Sequence, residues 1–294
     1  MSFKILLIFV NVYREESITA TAKKLGISQP AVSAAIKELE NHYGVQLFVR
    51  MGRGIRRTPN AEHLYEYASH IVSLYQEMNR SFADTTKNIP LRIGSSISIG
   101  SCLLPTCVSM YVKDLGMPMP YIKIDSSDII EQMVLDNQLD FAFIEGAIHS
   151  DRILSEALLK DRLILVCGRE HPLAEKKSVT LDDIREERFL LREKNSGTRE
   201  LAESALLLHD FTLKPAWEST STTAIINAVI ANLGISILPA RMLTSYLEEG
   251  SLVELKLSGI LFLREYNLIY HQNKYLNEEL TQALDFFKNT IRAQ

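Results

Sequence analysis

The 294-residue sequence has few cysteines and no long apolar run. Its three cysteines, Cys102, Cys107 and Cys167, form no C-x-x-C pair, and an odd number of thiols is typical of a reducing cytoplasm. No apolar segment approaches the roughly 18–20 residues that span a bilayer. The apolar run 5–10 is too short for a signal peptide, and no small-residue cleavage site follows it. We therefore expect a cytoplasmic protein without a membrane partner.

Motifs of the common enzyme classes are also missing. The chain has no G-x-S-x-G, no P-loop, no H-E-x-x-H and no dinucleotide-binding glycine fingerprint. Its seven histidines show no metal-ligand spacing. His63 and His70 share one face of a predicted helix without Cys or Asp beside them, so we interpret them as surface residues. The sequence predicts no catalytic residue, no metal and no cofactor.

Acidic charge exceeds basic charge overall, but the excess is unevenly distributed. The net charge is −4, which by itself argues against a nucleic-acid partner. Residues 1–60, however, contain nine Lys and Arg against four Asp and Glu, a net charge of +5, whereas the remainder has 23 against 32, a net charge of −9. A basic head on an acidic body is typical of a DNA-binding domain attached to a sensor domain.

Residues 18–41 predict two helices joined by a glycine turn. Ala22 provides a small surface for close packing, and Gly26 suits the left-handed conformation that ends the first helix. Ser28 is the expected N-cap of the second helix, and Pro30 falls in its first turn, where a missing N–H does little harm. This pattern indicates a helix-turn-helix, whose second helix enters the major groove of DNA. The alternative is an αα-hairpin inside a core.

The second helix has an apolar stripe and an opposite face of small or hydrogen-bonding residues, which suits contact with base edges. After it, residues 44–58 predict a two-stranded wing whose arginines reach DNA phosphates. The residues expected to contact DNA are Ser28, Gln29, Pro30, Ser33, Ala34 and Lys37 from the helix and Arg50, Arg53, Arg56 and Arg57 from the wing.

Residues 17–58 resemble the winged helix-turn-helix of the LysR-type transcriptional regulators. The family pattern Ser-Gln-Pro-Ala-Val-Ser matches residues 28–33, a helix ending in Leu-Glu matches 39–40, and Gly-x-x-Leu-Phe-x-Arg-x-x-Arg matches 44–53. Two departures stand out. Arg57 replaces a usual leucine, and Ala34 and Ala35 stand where many members have an arginine, which leaves Gln29, Ser33 and Lys37 as the expected base readers.

Thr58 and Pro59 are predicted to open a long helix that continues to about Phe82. Apolar residues within it step by three and four, as in a coiled-coil seam, and the resemblance implies a linker helix that pairs two chains. The alternative is an amphipathic helix packed on its own domain. The residues expected to form the seam are Leu64, Ala68, Ile71, Tyr75 and Met78.

Beyond Pro90 the pattern changes to alternating strands and helices, which predicts an α/β domain with parallel strands. The expected strands are 91–95, 121–125, 139–145, 163–168, 189–192, 213–218, 234–238 and 266–271, and the expected helices are 99–113, 129–137, 199–209, 224–232 and 277–291. The order predicts two lobes joined by two crossing strands. This resembles the effector domain of LysR-type regulators, built like a periplasmic binding protein, and the runs 140–146, 192–200 and 266–271 look most like the sulfur-assimilation regulators.

The predicted organisation is therefore a winged helix-turn-helix over 1–58, a linker and dimerisation helix over 59–89, and an effector-binding domain over 90–294. Within that domain, lobe I takes 91–161 and 270–294, and lobe II takes 162–269. The resemblance implies a homodimer, or a homotetramer, that binds double-stranded DNA and changes recruitment of RNA polymerase.

Hydroxyl residues follow four of the predicted strands, at the ends where doubly wound folds bind ligands. Free N–H groups and a positive dipole at the helix starts favour a small anion there. Taken singly, each of these residues is explained as well by capping a helix as by contacting a ligand. The residues expected to contact an effector are Ser96, Ser98, Ser127, Ser196, Thr198, Ser221 and Thr222. Arg199 has two candidate partners, an anion's charge or Glu203 one helical turn on, and the pairing with Glu203 is favoured.

The sequence thus predicts a DNA-binding regulator controlled by a small anionic metabolite. The second hypothesis is an α/β enzyme with a regulatory DNA-binding head, and the third is a solute-binding protein. The absence of catalytic motifs opposes the second, and the helix-turn-helix and missing signal peptide oppose the third.

Overall fold

The computed structural model describes residues 2–51, 54–83 and 90–294. The chain divides into two compact units, 1–89 and 90–294. The described elements of the first unit are α1 (Phe3–Glu15), α2 (Ile18–Leu25), α3 (Gln29–Tyr43), β1 (Phe48–Met51), β2 (Gly54–Arg57) and α4 (Pro59–Ala83).

Local signals produce the α2–α3 arrangement. The Ser17 hydroxyl accepts a hydrogen bond from the Ala20 N–H at 3.1 Å and so caps α2. Gly26 ends α2 with φ +65°, a conformation in which a side chain would be strained. Ser28 then caps α3 from the Ala31 N–H at 3.4 Å. The predicted helix-turn-helix is confirmed.

The first unit has its own apolar core. Phe9 of α1 and Val32 and Leu39 of α3 are fully buried there, together with Ala61 and Ala68 from the first half of α4. Burial of such side chains supplies the main stabilisation of a small domain. The head and the start of α4 therefore form one packed body.

The second unit is an α/β fold. Its described elements are β3 (Arg92–Ser96), α5 (Ile97–Cys102), α6 (Leu104–Lys113), β4 (Tyr121–Asp125), α7 (Ser127–Leu135), β5 (Phe141–Glu145), β6 (Ile153–Gly168), α8 (Leu181–Ile184), β7 (Phe189–Arg192), α9 (Gly197–Leu207), β8 (Pro215–Ser219), α10 (Thr222–Ile230), β9 (Ser236–Pro239), α11 (Ala240–Glu248), β10 (Leu252–Leu255), β11 (Phe262–His271) and α12 (Glu278–Arg292).

Two long strands, β6 and β11, run antiparallel through the whole unit and join its two lobes. In lobe I, β3 pairs in parallel with β4 and with β5, and β5 pairs with β11. In lobe II, β9 and β10 pair with β6, and β7 pairs in parallel with β8. The predicted two-lobed α/β architecture with crossing strands is confirmed, and it places the ends of β3 and β5 beside the start of α9 at the junction of the lobes.

Several predicted elements need correction. The predicted helix 99–113 is two helices, because Pro105 has no N–H for a bond to Ser101 and starts α6 anew. The predicted strand 163–168 is only the second half of the 16-residue β6. Its first half, residues 153–160, has no regular alternation of polar and apolar residues, and it forms a strand by pairing with β11. The prediction also missed α8, α11 and β10.

No helix in the described ranges is both long and apolar enough to cross a membrane.

Candidate DNA-binding surface and effector site

The face of α3 opposite its buried stripe is open on the first unit. Gln29, Pro30, Ala34 and Lys37 are exposed, and Ser33 is half-buried. The Ser28 hydroxyl is engaged as the helix cap, and Ser28 is otherwise exposed. The predicted base-reading residues therefore share one accessible surface. That surface is not packed inside the head.

The wing is held to α3 by Glu40. Its Oε1 accepts hydrogen bonds from the Leu47 N–H at 2.8 Å and the Phe48 N–H at 3.2 Å, which fixes where β1 begins. Arg50 on β1 and Arg56 on β2 are both exposed, and the part of the chain that the structure describes shows no ion pair for either. The predicted contact Arg53 lies outside the described residues.

Arg57 does not extend toward a ligand. Its Nε donates to the Tyr13 carbonyl oxygen at 3.0 Å and lies 2.8 Å from the Glu16 Oε1. Its guanidinium also lies 4.2 Å from the centre of the Tyr13 ring. These interactions fasten the wing to α1 and do not support the prediction of Arg57 as a phosphate contact. The arginine that stands in place of the family's usual leucine is thus held by contacts within the head.

The apolar seam predicted along α4 splits between two faces. Ala68 is fully buried in the head and Leu64 packs against the same core, so the prediction of Ala68 as a pairing residue is wrong. Ile71, Tyr75 and Met78 are exposed as predicted, although the Tyr75 ring also contacts that of Phe3, with ring centres 3.9 Å apart and planes tilted by 34°. The exposed apolar stripe consists of Tyr67, Ile71, Leu74, Met78 and Phe82.

In the second unit, Glu145 collects three of the predicted effector-binding serines. It is the last residue of β5 and is buried where the lobes meet. The Ser96 and Ser98 hydroxyls donate to its two carboxylate oxygens, the latter at 3.0 Å. The Ser127 hydroxyl donates to its backbone carbonyl oxygen at 3.0 Å. Two hydroxyls from the end of β3 and the start of α5 therefore hold the Glu145 carboxylate, and a third, from α7, holds its backbone carbonyl group.

Arg264 on β11 ties this cluster to lobe II. Its Nη1 lies 3.4 Å from the Glu145 Oε1 and donates to the Thr198 Oγ1 at 3.1 Å, while its Nε donates to Asp161 at 2.8 Å. The Tyr266 hydroxyl donates to the same Asp161 oxygen at 2.7 Å. Burial opposes the charge on Arg264, but the two carboxylates outweigh it and raise its pKa. The guanidinium therefore stays charged.

The lobes touch at the start of α9. A Cβ on Gly197 would lie 2.8 Å from the Glu145 carbonyl oxygen and 3.2 Å from the Ser127 Oγ, so only glycine allows this approach. Ser196, the N-cap of α9, is buried, but its side chain makes no capping bond. The N–H groups of the first turn of α9 therefore begin beside the end of β5 without a side-chain cap.

The remaining predicted effector residues belong to a second cluster in lobe II. Thr222 is buried and accepts a hydrogen bond from the Arg192 Nη1 at 3.2 Å. Ser221 is exposed and caps α10 from the Ala224 N–H at 3.2 Å. Separately, Arg199 pairs with Glu203 at 2.6 Å, as predicted.

Sequence reasoning missed the charged residues around which these hydroxyls gather. Glu145, Asp161, Arg192 and Arg264 are all buried. Buried charges in a fold are paired or functional, and each of these interrupts an apolar strand pattern or ends one. That interruption was the signal that would have identified them.

Family models match both units of the chain. The model described as "LysR substrate binding domain" matches residues 87–292, and the model described as "Bacterial regulatory helix-turn-helix protein, lysR family" matches residues 3–62. The chain belongs to the LysR family of transcriptional regulators. It is a DNA-binding regulator with an effector-binding domain, not an enzyme, so the hypothesis of an α/β enzyme is wrong.

Individual relatives of this LysR-type regulator span nearly its whole length. It is 34% identical over 279 residues to the uncharacterised regulator YeiE of Escherichia coli K12, with 95% of this chain and 94% of the relative covered. It is 28% identical to the regulator CysL of Bacillus subtilis 168, with 92% and 91% covered. The fold matches a full-length OxyR variant of Pseudomonas aeruginosa with a TM-score of 0.71 at 22% identity, covering 99% of this chain and 95% of that one.

Proposed function

We propose that this regulator reads its operator as a homodimer and that a small anion bound between the two lobes controls it. DNA contact falls to the exposed face of α3, with Gln29, Ser33 and Lys37 reading bases, and to the wing, with Arg50 and Arg56 on the phosphates. These assignments are supported by the accessibility of the residues on one basic domain. Arg53 belongs to the same proposal by its position in the wing sequence.

Pairing of two chains uses the exposed stripe of α4. Tyr67, Ile71, Leu74 and Met78 step by four, three and four residues, which is the spacing of a coiled-coil seam. An exposed stripe of large apolar side chains is stabilised by a partner. Two heads held by such a rod contact major grooves about one DNA turn apart, roughly 34 Å. Pairing of dimers into tetramers extends the same proposal.

The double substitution Ile71→Glu with Leu74→Glu tests this stripe. We expect dissociation to monomers in analytical ultracentrifugation, because two carboxylates in each helix would meet at an apolar seam. Gln76→Glu adds one such charge at an exposed position outside the stripe and serves as the control, which should remain dimeric. If the double variant sediments as the parent does, the pairing surface does not lie on the exposed stripe of α4.

One observation carries the anion proposal: the serine hydroxyls and Arg264 already hold a carboxylate. Hydroxyl and guanidinium donors around an oxyanion form strong charge-assisted bonds. The occupant in this structure is the chain's own Glu145. An effector with an oxyanion group competes with Glu145 for these donors and gains the uncapped N–H groups of α9, since Ser196 provides no side-chain cap.

The proposed control is mechanical. An effector that contacts both Ser98 of lobe I and Thr198 of lobe II stabilises one lobe arrangement over the other by its difference in affinity. Paired chains transmit that arrangement to the spacing of the two heads, which changes the bend of the DNA and the recruitment of RNA polymerase. The resemblance to the sulfur-assimilation regulators makes sulfur oxyanions the first candidates, and a cytoplasmic location fits a metabolite sensor.

A thermal-shift series with sulfate, phosphate, small carboxylates and a neutral sugar tests the ligand class. A bound anion is expected to raise the melting temperature by mass action, and Ser98→Ala is expected to weaken its affinity about tenfold, as loss of a bond to a charged group does. Ser101→Ala removes a hydroxyl from the same helix that bonds only the Ile97 carbonyl oxygen and should bind as the parent does. A shift with the neutral compound alone would overturn the anion class.

A further inference from the structure

His149 bridges the two lobes outside the Glu145 cluster. It lies in the segment after β5 of lobe I, with its Nδ1 3.1 Å from the Oε2 of Glu131 on α7. Its Nε2 lies 3.5 Å from the Oε1 of Glu200 on α9 of lobe II. A single imidazole therefore stands between carboxylates from opposite lobes.

Glu131 determines which ring nitrogen carries the proton. The carboxylate is buried, and its Oε1 accepts hydrogen bonds from the N–H groups of His149 at 2.9 Å and Ser150 at 3.0 Å. Its Oε2 accepts from His149 Nδ1, because an ionised carboxylate only accepts hydrogen bonds. The neutral imidazole is thus held as the Nδ1–H tautomer, attached to lobe I.

The tautomer makes the contact with lobe II depend on protonation. In neutral His149 the Nε2 lone pair points at the Glu200 carboxylate, and two acceptors do not attract each other. In the protonated ring Nε2–H becomes a donor to Glu200, and the two groups form an ion pair. We propose that His149 is a proton-operated clasp, by which we mean that its protonated ring joins the two lobes through Glu131 and Glu200. Closing the lobes then takes up a proton. Its link to the effector rests on the proposed function.

The surrounding charges leave this pairing intact. The groove of about 630 Å³ beside His149 is also lined by Asp128 of α7, by Lys194 and by Arg199, Glu200 and Glu203 of α9. Arg199 is engaged by Glu203 and Glu218, and within the described residues Lys194 forms no ion pair with Glu200, which leaves Glu200 to His149. The hydrogen bond to Glu131, together with the contact to Glu200, raises the pKa of His149 above its usual value near 6.5.

The sign of the pH dependence follows from the difference between open and closed lobes. His149 and Glu131 both belong to lobe I, so separation of the lobes would leave their contact intact, whereas it would break the contact with Glu200 of lobe II. The pKa of His149 is therefore higher in the closed form. Protonation of His149 therefore favours the closed lobes fully at a pH below the open-form pKa. This contribution to closure is lost as the pH rises through the closed-form pKa, which lies above about 6.5.

Titration of the full chain by histidine ¹⁵N NMR tests the clasp without any effector. The His149 resonance is identified by its loss in His149→Gln, and at high pH it should show the Nδ1–H tautomer. Glu200→Gln should shift the titration toward lower pH, whereas Glu203→Gln, one turn along α9, should leave it in place. A titration in Glu200→Gln that coincides with the parent's, or an Nε2–H tautomer, would overturn the clasp.

Sulfate binding, measured between pH 6.0 and 8.5, tests the link to the effector. Sulfate keeps its charge across this range. We expect its Kd in the parent to rise about two- to fivefold, the range of an exposed ion pair, and to stay nearly constant in Glu200→Gln. A pH-independent Kd in the parent would overturn coupling of the clasp to anion binding. Failure of sulfate to bind at any pH counts against the proposed anion site, and the NMR titration then decides the clasp alone.

Discussion

Lys37→Ala is expected to weaken operator binding and to flatten its salt dependence. Lys37 is exposed on the accessible face of α3. A lysine that reads a base in the major groove also neutralises DNA charge there, and each neutralised phosphate contributes about 0.9 to the slope of log K against log salt, so a dimer that loses two copies of Lys37 loses about 1.8. The double variant with Arg56→Ala should lose about twice as much. Gel-shift titrations at several salt concentrations measure the slope, with DNA selected from genomic fragments by the parent protein.

Two variants of the same head separate this effect from loss of fold. Lys4→Ala removes an exposed charge from α1, which contributes no residue to the predicted DNA contacts, and should preserve the slope. Arg57→Ala breaks the contacts with Tyr13 and Glu16, so it should lower the thermal stability of the head while leaving the salt slope of the folded protein unchanged. Equal slopes for Lys37→Ala and the parent would place α3 away from the DNA backbone.

Arg264→Met is expected to lower the free energy of unfolding of the second unit by about 3–5 kcal/mol, because it leaves two buried carboxylates without their cation. The side chain of Arg264 is 1% exposed, and those of Asp161 and Glu145 are 3% and 4% exposed. Urea unfolding measures the loss. Trp217, the only tryptophan of the sequence, lies on β8, so its fluorescence reports on this unit.

Arg162→Met provides a matched comparison on the adjacent strand. Arg162 pairs with Glu254 at 2.6 Å, but its side chain is 52% exposed. Exposed pairs contribute about 1 kcal/mol or less. Similar losses for the two substitutions would mean that the Arg264 cluster is hydrated in solution rather than sealed between the lobes.

The helix-turn-helix was predictable because its signals are local. Gly26, Ser28 and Pro30 act on backbone groups a few residues away, and the apolar stripe of α3 has the helical period. Local signals did not predict a strand that depends on pairing with a distant segment. The first half of β6 becomes a strand only through its pairing with β11, about 100 residues later.

The linker helix shows how a correct pattern gives an incorrect surface. Its apolar residues were identified from their spacing, but the spacing does not say which stripe faces the head and which faces solvent. Packing against α1 buries Ala68, and the exposed stripe instead includes Tyr67 and Leu74. An amphipathic period identifies a helix, whereas its neighbours determine the use of each face.

The sequence alone was enough to establish the family, the order of the domains and the hydroxyls at the strand ends, because short motifs and periodic patterns depend on neighbours along the chain. Tertiary structure determined what those hydroxyls contact. Glu145 and Arg264 are far apart in the sequence and meet between the lobes. His149 likewise reaches Glu200 only because β5 ends and α9 begins at the same junction. Such contacts arise from the packing of distant segments, and no local pattern records them.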